Sequence, residues 1–149
     1  MATLRIYDVK DQVLALDLRD VLRLLAPRSL QTSWTVSSVK SSKPGHEWFE
    51  ATGESSAQLE ALAEKNSRIS GTELLALADN TQQVIWGEFT GSTPNPPGSI
   101  WVVIRAADST FYEIETADET VLNKIISTYK DIRLGETPIS TWPLGLRDQ

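Results

Sequence analysis

Few residues in this chain have side chains able to carry out chemistry. There is one histidine, His46, and no cysteine. A nucleophile with an imidazole base would have to use His46, because no other side chain has an unperturbed pKa near neutrality. His46 follows Lys43-Pro44-Gly45, a turn signal, and no serine stands nearby in a strand-to-helix elbow. It therefore reads as a loop histidine. The absence of cysteine excludes thiolate catalysis, disulfides and Cys-based zinc or iron–sulfur sites. The glycines at 45, 53, 71, 87, 91, 98, 135 and 145 form no Gly-x-Gly pair, and no Gly-Lys-Ser/Thr sequence occurs. Dinucleotide fingerprints and phosphate loops are thus excluded, as is an Asp-x-Asp-x-Asp-Gly calcium loop. The sequence predicts no catalytic residue, no metal and no cofactor.

Carboxylates and one arginine form the next candidate set. Glu113 and Glu115 stand at i, i+2, on one face of a strand. With Glu88 on a neighbouring strand they could flank a glycosidic bond as general acid and nucleophile. Alternation gives a simpler reading, with Phe111, Glu113 and Glu115 on the outer, solvated face and Tyr112 and Ile114 inward. Arg105 is the one charge interrupting the apolar strand that begins at Ile100. If buried it needs a carboxylate, and Asp108 across the turn is the nearest in sequence; otherwise it could bind an anion beside the 91–99 loop. Five tryptophans, Trp34, Trp48, Trp86, Trp101 and Trp142, are many for this length. Trp101 reads as core, whereas Trp34, Trp48 and Trp86 have mixed polar neighbours and one or more could reach the surface as an interface anchor. The candidate binding set is Trp48, Trp86, Glu88, Arg105, Asp108, Glu113, Glu115 and Trp142.

The elements that must position these residues follow from periodicity. Residues 3–9 alternate as a strand. Asp17 then caps a helix with Leu18, Val21, Leu22 and Leu25 at helical spacing, ended by Pro27. Residues 33–39 and 46–51 read as two strands of a hairpin. Ser55-Ser56-Ala57-Gln58, Ser70-Gly71-Thr72-Glu73 and Thr116-Ala117-Asp118-Glu119 have the capping-box form and predict three helices. Strands over 82–90, 99–106 and 110–116 form a C-terminal antiparallel meander with a 117–129 helix packed across it. The continuously apolar run 100–104 marks the central strand, covered on both faces. A short strand follows near 131–134. The fold class is α+β, mainly antiparallel sheet with packing helices.

Length places one domain over 1–137, with 138–149 as a C-terminal tail whose Trp142 docks on its own domain or on another subunit, a route to a homo-oligomer. Hydrophobic residues at 40% and charged residues at 23% argue against intrinsic disorder. The N-terminus has no apolar stretch of signal-peptide length, and no run approaches a membrane span, so a cytoplasmic protein without membrane contact is expected. The net charge of −6 is uneven. Residues 1–70 hold nine Lys or Arg against nine Asp or Glu, and residues 71–149 hold five against eleven. Nucleic-acid binding requires the opposite sign. An acidic half either steers a basic partner or simply promotes solubility.

The segments Ile69-Ser70-Gly71-Thr72-Glu73-Leu74-Leu75, Val84-Ile85-Trp86-Gly87-Glu88-Phe89 and Trp101 through Thr110 resemble uncharacterised small bacterial α+β proteins, among which are immunity proteins that neutralise toxins. The likeness covers about half of the chain and brings no functional motif. It implies a binding role. Two expectations follow: a non-enzymatic protein-binding domain, of immunity or adaptor type, with a basic protein partner; or a small enzyme or ligand-binding domain with a carboxylate- and Arg-lined cleft.

Overall fold

A computed structural model describes residues 1–40, 45–94, 96–135 and 137–140. Its strands are β1 (Ala2–Ile6), β2 (Val9–Lys10), β3 (Val13–Leu14), β4 (Ser33–Ser37), β5 (Val39–Lys40), β6 (Glu47–Trp48), β7 (Glu50–Gly53), β8 (Arg68–Ser70), β9 (Thr81–Pro94), β10 (Pro97–Ala107), β11 (Phe111–Thr116) and β12 (Ile132–Leu134). The helices are α1 (Leu18–Leu24), α2 (Arg28–Gln31), α3 (Ser56–Glu64), α4 (Gly71–Asp79) and α5 (Glu119–Thr128). The fold is α+β. One large antiparallel sheet runs in the order β12-β1-β11-β10-β9-β4-β8, and β7 pairs with β9 beyond the end of β4.

The meander expected in the C-terminal half is present as β9, β10 and β11, extended by β1 and β12 from opposite ends of the chain. The Pro/Gly-rich 91–99 segment differs from expectation: its described residues mostly prolong β9 and β10. The 33–39/46–51 hairpin is only partly formed. Val39 pairs with Trp48, but β4 lies between β9 and β8. Strand propensity alone cannot distinguish a local partner from a distant one.

Register divides the sheet into two unlike faces, because successive residues of a strand point to opposite sides. One row, Leu4–Ile114–Ile104–Phe89–Val36, crosses five strands and is apolar throughout. These residues join Leu18, Val21, Leu22, Leu59, Leu74, Ala78, Val121 and Ile125 from the helices in one buried cluster. Each helix except the one-turn α2 contributes the stripe that its spacing presents to the sheet.

The helix starts are specific. Ser70 Oγ accepts from the Glu73 N–H at 3.2 Å, the capping bond expected from its motif. At α5 the cap is Asp118, whose carboxylate accepts from the Thr120 N–H, while Thr116 Oγ1 donates to the Trp101 carbonyl. At α3 the Ser55 side chain makes no capping bond; Ser56 Oγ instead donates to the Gly53 carbonyl. No helix among the described residues is long and apolar enough to cross a membrane.

Candidate functional site

The opposite face of the sheet carries polar side chains in register. Residues one position along from the apolar row form Arg5–Glu113–Arg105–Glu88–Ser37 across β1, β11, β10, β9 and β4. Cations and anions alternate directly opposite one another, the arrangement that favours cross-strand pairing. Arg105 lies at the centre. Its Nε meets Glu88 Oε1 at 2.6 Å, one terminal nitrogen meets Glu113 Oε2 at 3.0 Å, and the other meets Glu115 Oε1 at 2.9 Å. Its side chain is 1% exposed, and that of Glu113 is fully buried.

Arg5 Nε donates to the other oxygen of Glu113 at 3.0 Å, and the Ile139 N–H also donates to that carboxylate. Ser37 Oγ lies 3.4 Å from Glu88 Oε2. Burial opposes the charge on Arg105, but the surrounding carboxylates, Glu88 foremost, hold its pKa above the ordinary arginine value. The guanidinium is therefore a permanent, immobilised charge.

Two expectations are corrected here. Glu113 and Glu115 do not lie on a solvated face: Glu113 is buried and Glu115 nearly so, because Arg105 and Arg5 draw them inward. Arg105 does not pair with Asp108, which stays exposed on the β10–β11 turn with φ of 53°. The register places Glu113 and Glu88 opposite Arg105, and this outweighs nearness in sequence. The second face of β10 is thus covered in part by an ion cluster rather than by apolar side chains.

A cleft of about 740 Å³ opens beside the cluster. Its floor is the next row of the same face, Thr35, Thr90, Val103 and Glu115, with Ser37, Glu88 and Arg105 along one side. Met1, Lys40, Asn66 and Ile100 complete the lining. Apart from Asn66, which is on the turn between α3 and β8, the polar groups stand on strands rather than on loops, which fixes their geometry before anything binds. Its size is that of a small-molecule site.

On the other side of the ladder the row Phe111–Ala107–Trp86 floors a second concavity of about 340 Å³. Trp48, Asp108, Thr110, Val39 and Ile139 line it as well. Trp48 stacks on Trp86 with ring centroids 5.3 Å apart. The segment carrying Ile139 and Ser140 lies between the two concavities, where Ser140 Oγ accepts from the Lys40 N–H at 3.0 Å.

The structure thus brings the expected site residues into two groups: Glu88, Arg105, Glu113 and Glu115 in the ladder, and Trp48, Trp86 and Asp108 around the second concavity. Trp142 lies outside the described residues. Sequence reasoning missed Thr35, Ser37 and Thr90, which join the site only because β4 pairs with β9 over a distance of some fifty residues. It also missed Arg5, whose strand reaches β11 from the start of the chain. His46 is exposed, and its ring meets that of Trp48 edge to face. Among the described residues no group of acidic or imidazole side chains is arranged to hold a metal ion.

A further polar contact lies inside the helical layer. Asp17 Oδ1 accepts from the Tyr112 hydroxyl at 2.8 Å and from the Val84 N–H at 3.0 Å. Its other oxygen is buried without a hydrogen bond, 3.6 Å from Arg19. Burial pushes the Asp17 carboxyl up and the Tyr112 hydroxyl well up. This pair joins α1 to β9 and β11 and belongs to the core, not to either concavity.

Compared with known proteins, the chain matches no family profile, no curated protein and no solved structure. The likeness to small bacterial α+β proteins gains no support from them.

Proposed function

We propose that this chain is a non-catalytic binding domain that holds a compact polar ligand in the cleft beside Arg105. The observation that carries this reading is the immobilised cluster of Arg105, Glu88 and Glu115 forming one wall of that cleft. Burying charges costs desolvation energy that apolar side chains of similar volume would spare. A reason for keeping them at this place is that they fix the direction of the Glu88 and Glu115 carboxylates toward a bound molecule.

Hydroxyls of Thr35, Ser37 and Thr90 add groups that can both donate and accept. Lys40 and Asn66 bring donors, and Met1, Ile100 and Val103 offer apolar contact. A neutral or zwitterionic molecule with several hydroxyl, amide or amine groups fits that mixture. Of the lining hydroxyls, that of Ser37 stands beside a carboxylate, 3.4 Å from Glu88, but this group is already neutralised by Arg105 and so a weak base, and the reading is binding rather than turnover.

The test is a thermal-shift screen of polar metabolites on the wild-type chain and on Thr35→Tyr, which places a ring in the cleft on a strand that tolerates it. Compounds that raise Tm in the wild type and fail to do so in the variant support the reading. Compounds that stabilise both alike, or an exhaustive screen without any stabilising compound, would remove it.

A basic protein partner is the second reading, favoured by one observation: Trp48 is 39% exposed beside the partly exposed Trp86. Large aromatic side chains at a surface are typical anchors of protein interfaces. In this version the contact is centred on Trp48, since Glu113 is engaged inside the fold.

A further inference from the structure

We infer that the second concavity, between Trp48, Trp86, Phe111 and Asp108, is a binding site for an ammonium cation. It is distinct from the polar cleft and does not depend on that cleft's being occupied. Three observations lead there.

The first is shape and composition. A space of about 340 Å³ is lined by aromatic and aliphatic side chains, and Asp108 is the one charged residue among its described lining. A cation gains from the negative faces of indole rings within about 6 Å, and gains more where water is excluded. The second is the state of Asp108. It stands at the tip of the β10–β11 turn, exposed, and its carboxylate has no hydrogen-bond or ion-pair partner among the described residues. Most other carboxylates on this face are already matched: Glu88, Glu113 and Glu115 all hold Arg105.

The third is how the same molecule treats its other aromatic rings. Arg28 lies over Trp101 at 4.5 Å and Arg133 over Tyr7 at 3.9 Å, and Phe111, in the lining of this concavity, already has Arg5 over its ring at 5.1 Å. No described cation lies over Trp48 or Trp86. Among the described residues the two indoles stack on each other and on nothing charged, beside a carboxylate that none of those residues matches. Charge and ring geometry at this place are complementary to a primary or methylated ammonium group. A bulky anion or a neutral sugar would leave Asp108 uncompensated.

The ammonium group can belong to a free small molecule or to a lysine of a partner protein, and the two sources are separable. The experiment follows the indole N–H signals of Trp48 and Trp86 by NMR, assigned from single Trp→Phe variants. Tetramethylammonium chloride is titrated against sodium chloride at equal ionic strength, and a short peptide with a central trimethyllysine is titrated in parallel. Saturable movement of both signals with tetramethylammonium, absent with sodium, is expected. Asp108→Asn keeps a residue tolerant of the left-handed turn and is expected to weaken binding about two- to fivefold. Trp48→Ala is expected to abolish the response of Trp86.

Tighter binding of the peptide, with added shifts along β6 and β7, assigns the source to a protein; equal affinity assigns it to a small molecule. Both support the site. Shifts that follow ionic strength alone, or that persist unchanged in both variants of a folded protein, would overturn it.

Discussion

At the scale of the residue, Arg105 decides the character of the open face. Sequence alone marks it as an interruption of an apolar strand and leaves its partner undetermined. The choice between Asp108 and the distant glutamates is made by the register of three strands, which no local pattern contains. Removing it strands three carboxylates in a place built to hold them with a cation. Arg105→Leu is expected to lower unfolding free energy by about 3–5 kcal/mol, measured by urea denaturation, because an uncompensated buried charge costs more than the lost contacts. A loss under 1 kcal/mol would show that the glutamates relax into solvent.

Charge reversal at Glu113 belongs to the same class. It would damage the ladder from within, so it is no test of steering toward a partner.

Asp17 permits a pH prediction with a definite sign. Its pKa is raised in the fold, chiefly by burial. The fold therefore favours the protonated form, and that stability is fully present below the unfolded pKa of about 3.9 and lost as pH rises through the raised value. Asp17→Asn keeps an oxygen to accept from Tyr112 and Val84 but cannot ionise. The variant should gain stability relative to wild type as pH rises from about 4 to 7, read from paired denaturation curves. A constant difference across that range would contradict the assignment.

At the scale of the element, the sequence was readable where a signal is local. The Ser70-to-Glu73 cap, the Asp17 helix start and the inward alternation of Tyr112 and Ile114 all appear as expected. Thr116-to-Glu119 pointed to the right helix but to the wrong capping residue. Thr116 Oγ1 donates to the Trp101 carbonyl and accepts from the Asp118 N–H, ahead of the helix, and Asp118 is the residue that caps α5. Asp118 has three duties, since it also accepts from the Trp101 indole at 2.9 Å and pairs with Arg28. Its burial would raise its pKa, but these hydrogen bonds, Trp101's first, hold it below the ordinary value.

Asp118→Ala should therefore cost about 1–2 kcal/mol by urea denaturation, the loss of a cap together with a side-chain partner. Asp118→Asn should recover most of it. Equal stability of all three proteins would remove this account of the α5 start.

At the scale of the whole molecule, the chain builds one sheet with an apolar face and a charged face from the same strands. The apolar face was legible, because period-two alternation and helical stripes announce it. The charged face was not. Alternation says that Glu113 and Arg105 turn away from the core, and the default destination for such residues is water. Only the assembled sheet, with β1 and β4 arriving from the first forty residues and the 137–140 segment laid across the ladder, turns that surface into two concavities. Thr35, Ser37 and Thr90 give no sign in sequence, since isolated hydroxyls on strands are commonplace. Trp48 and Trp86 were recognisable by type, but their stacking depends on β5 returning to β6 while β7 joins β9. The acidic excess of the C-terminal half likewise changes meaning. Part of it neutralises the buried Arg105 and the partly buried Arg5 and is unavailable to steer a partner.

The central claim is that the cleft beside Arg105 binds a polar ligand. Its most direct test is amide mapping by NMR with a compound that stabilises the wild-type chain. The account predicts saturable shifts concentrated at Thr35, Ser37, Glu88, Thr90, Val103 and Glu115, and their loss in Thr35→Tyr. Shifts confined to the helix-covered side of the sheet, or unchanged in Thr35→Tyr, would contradict it.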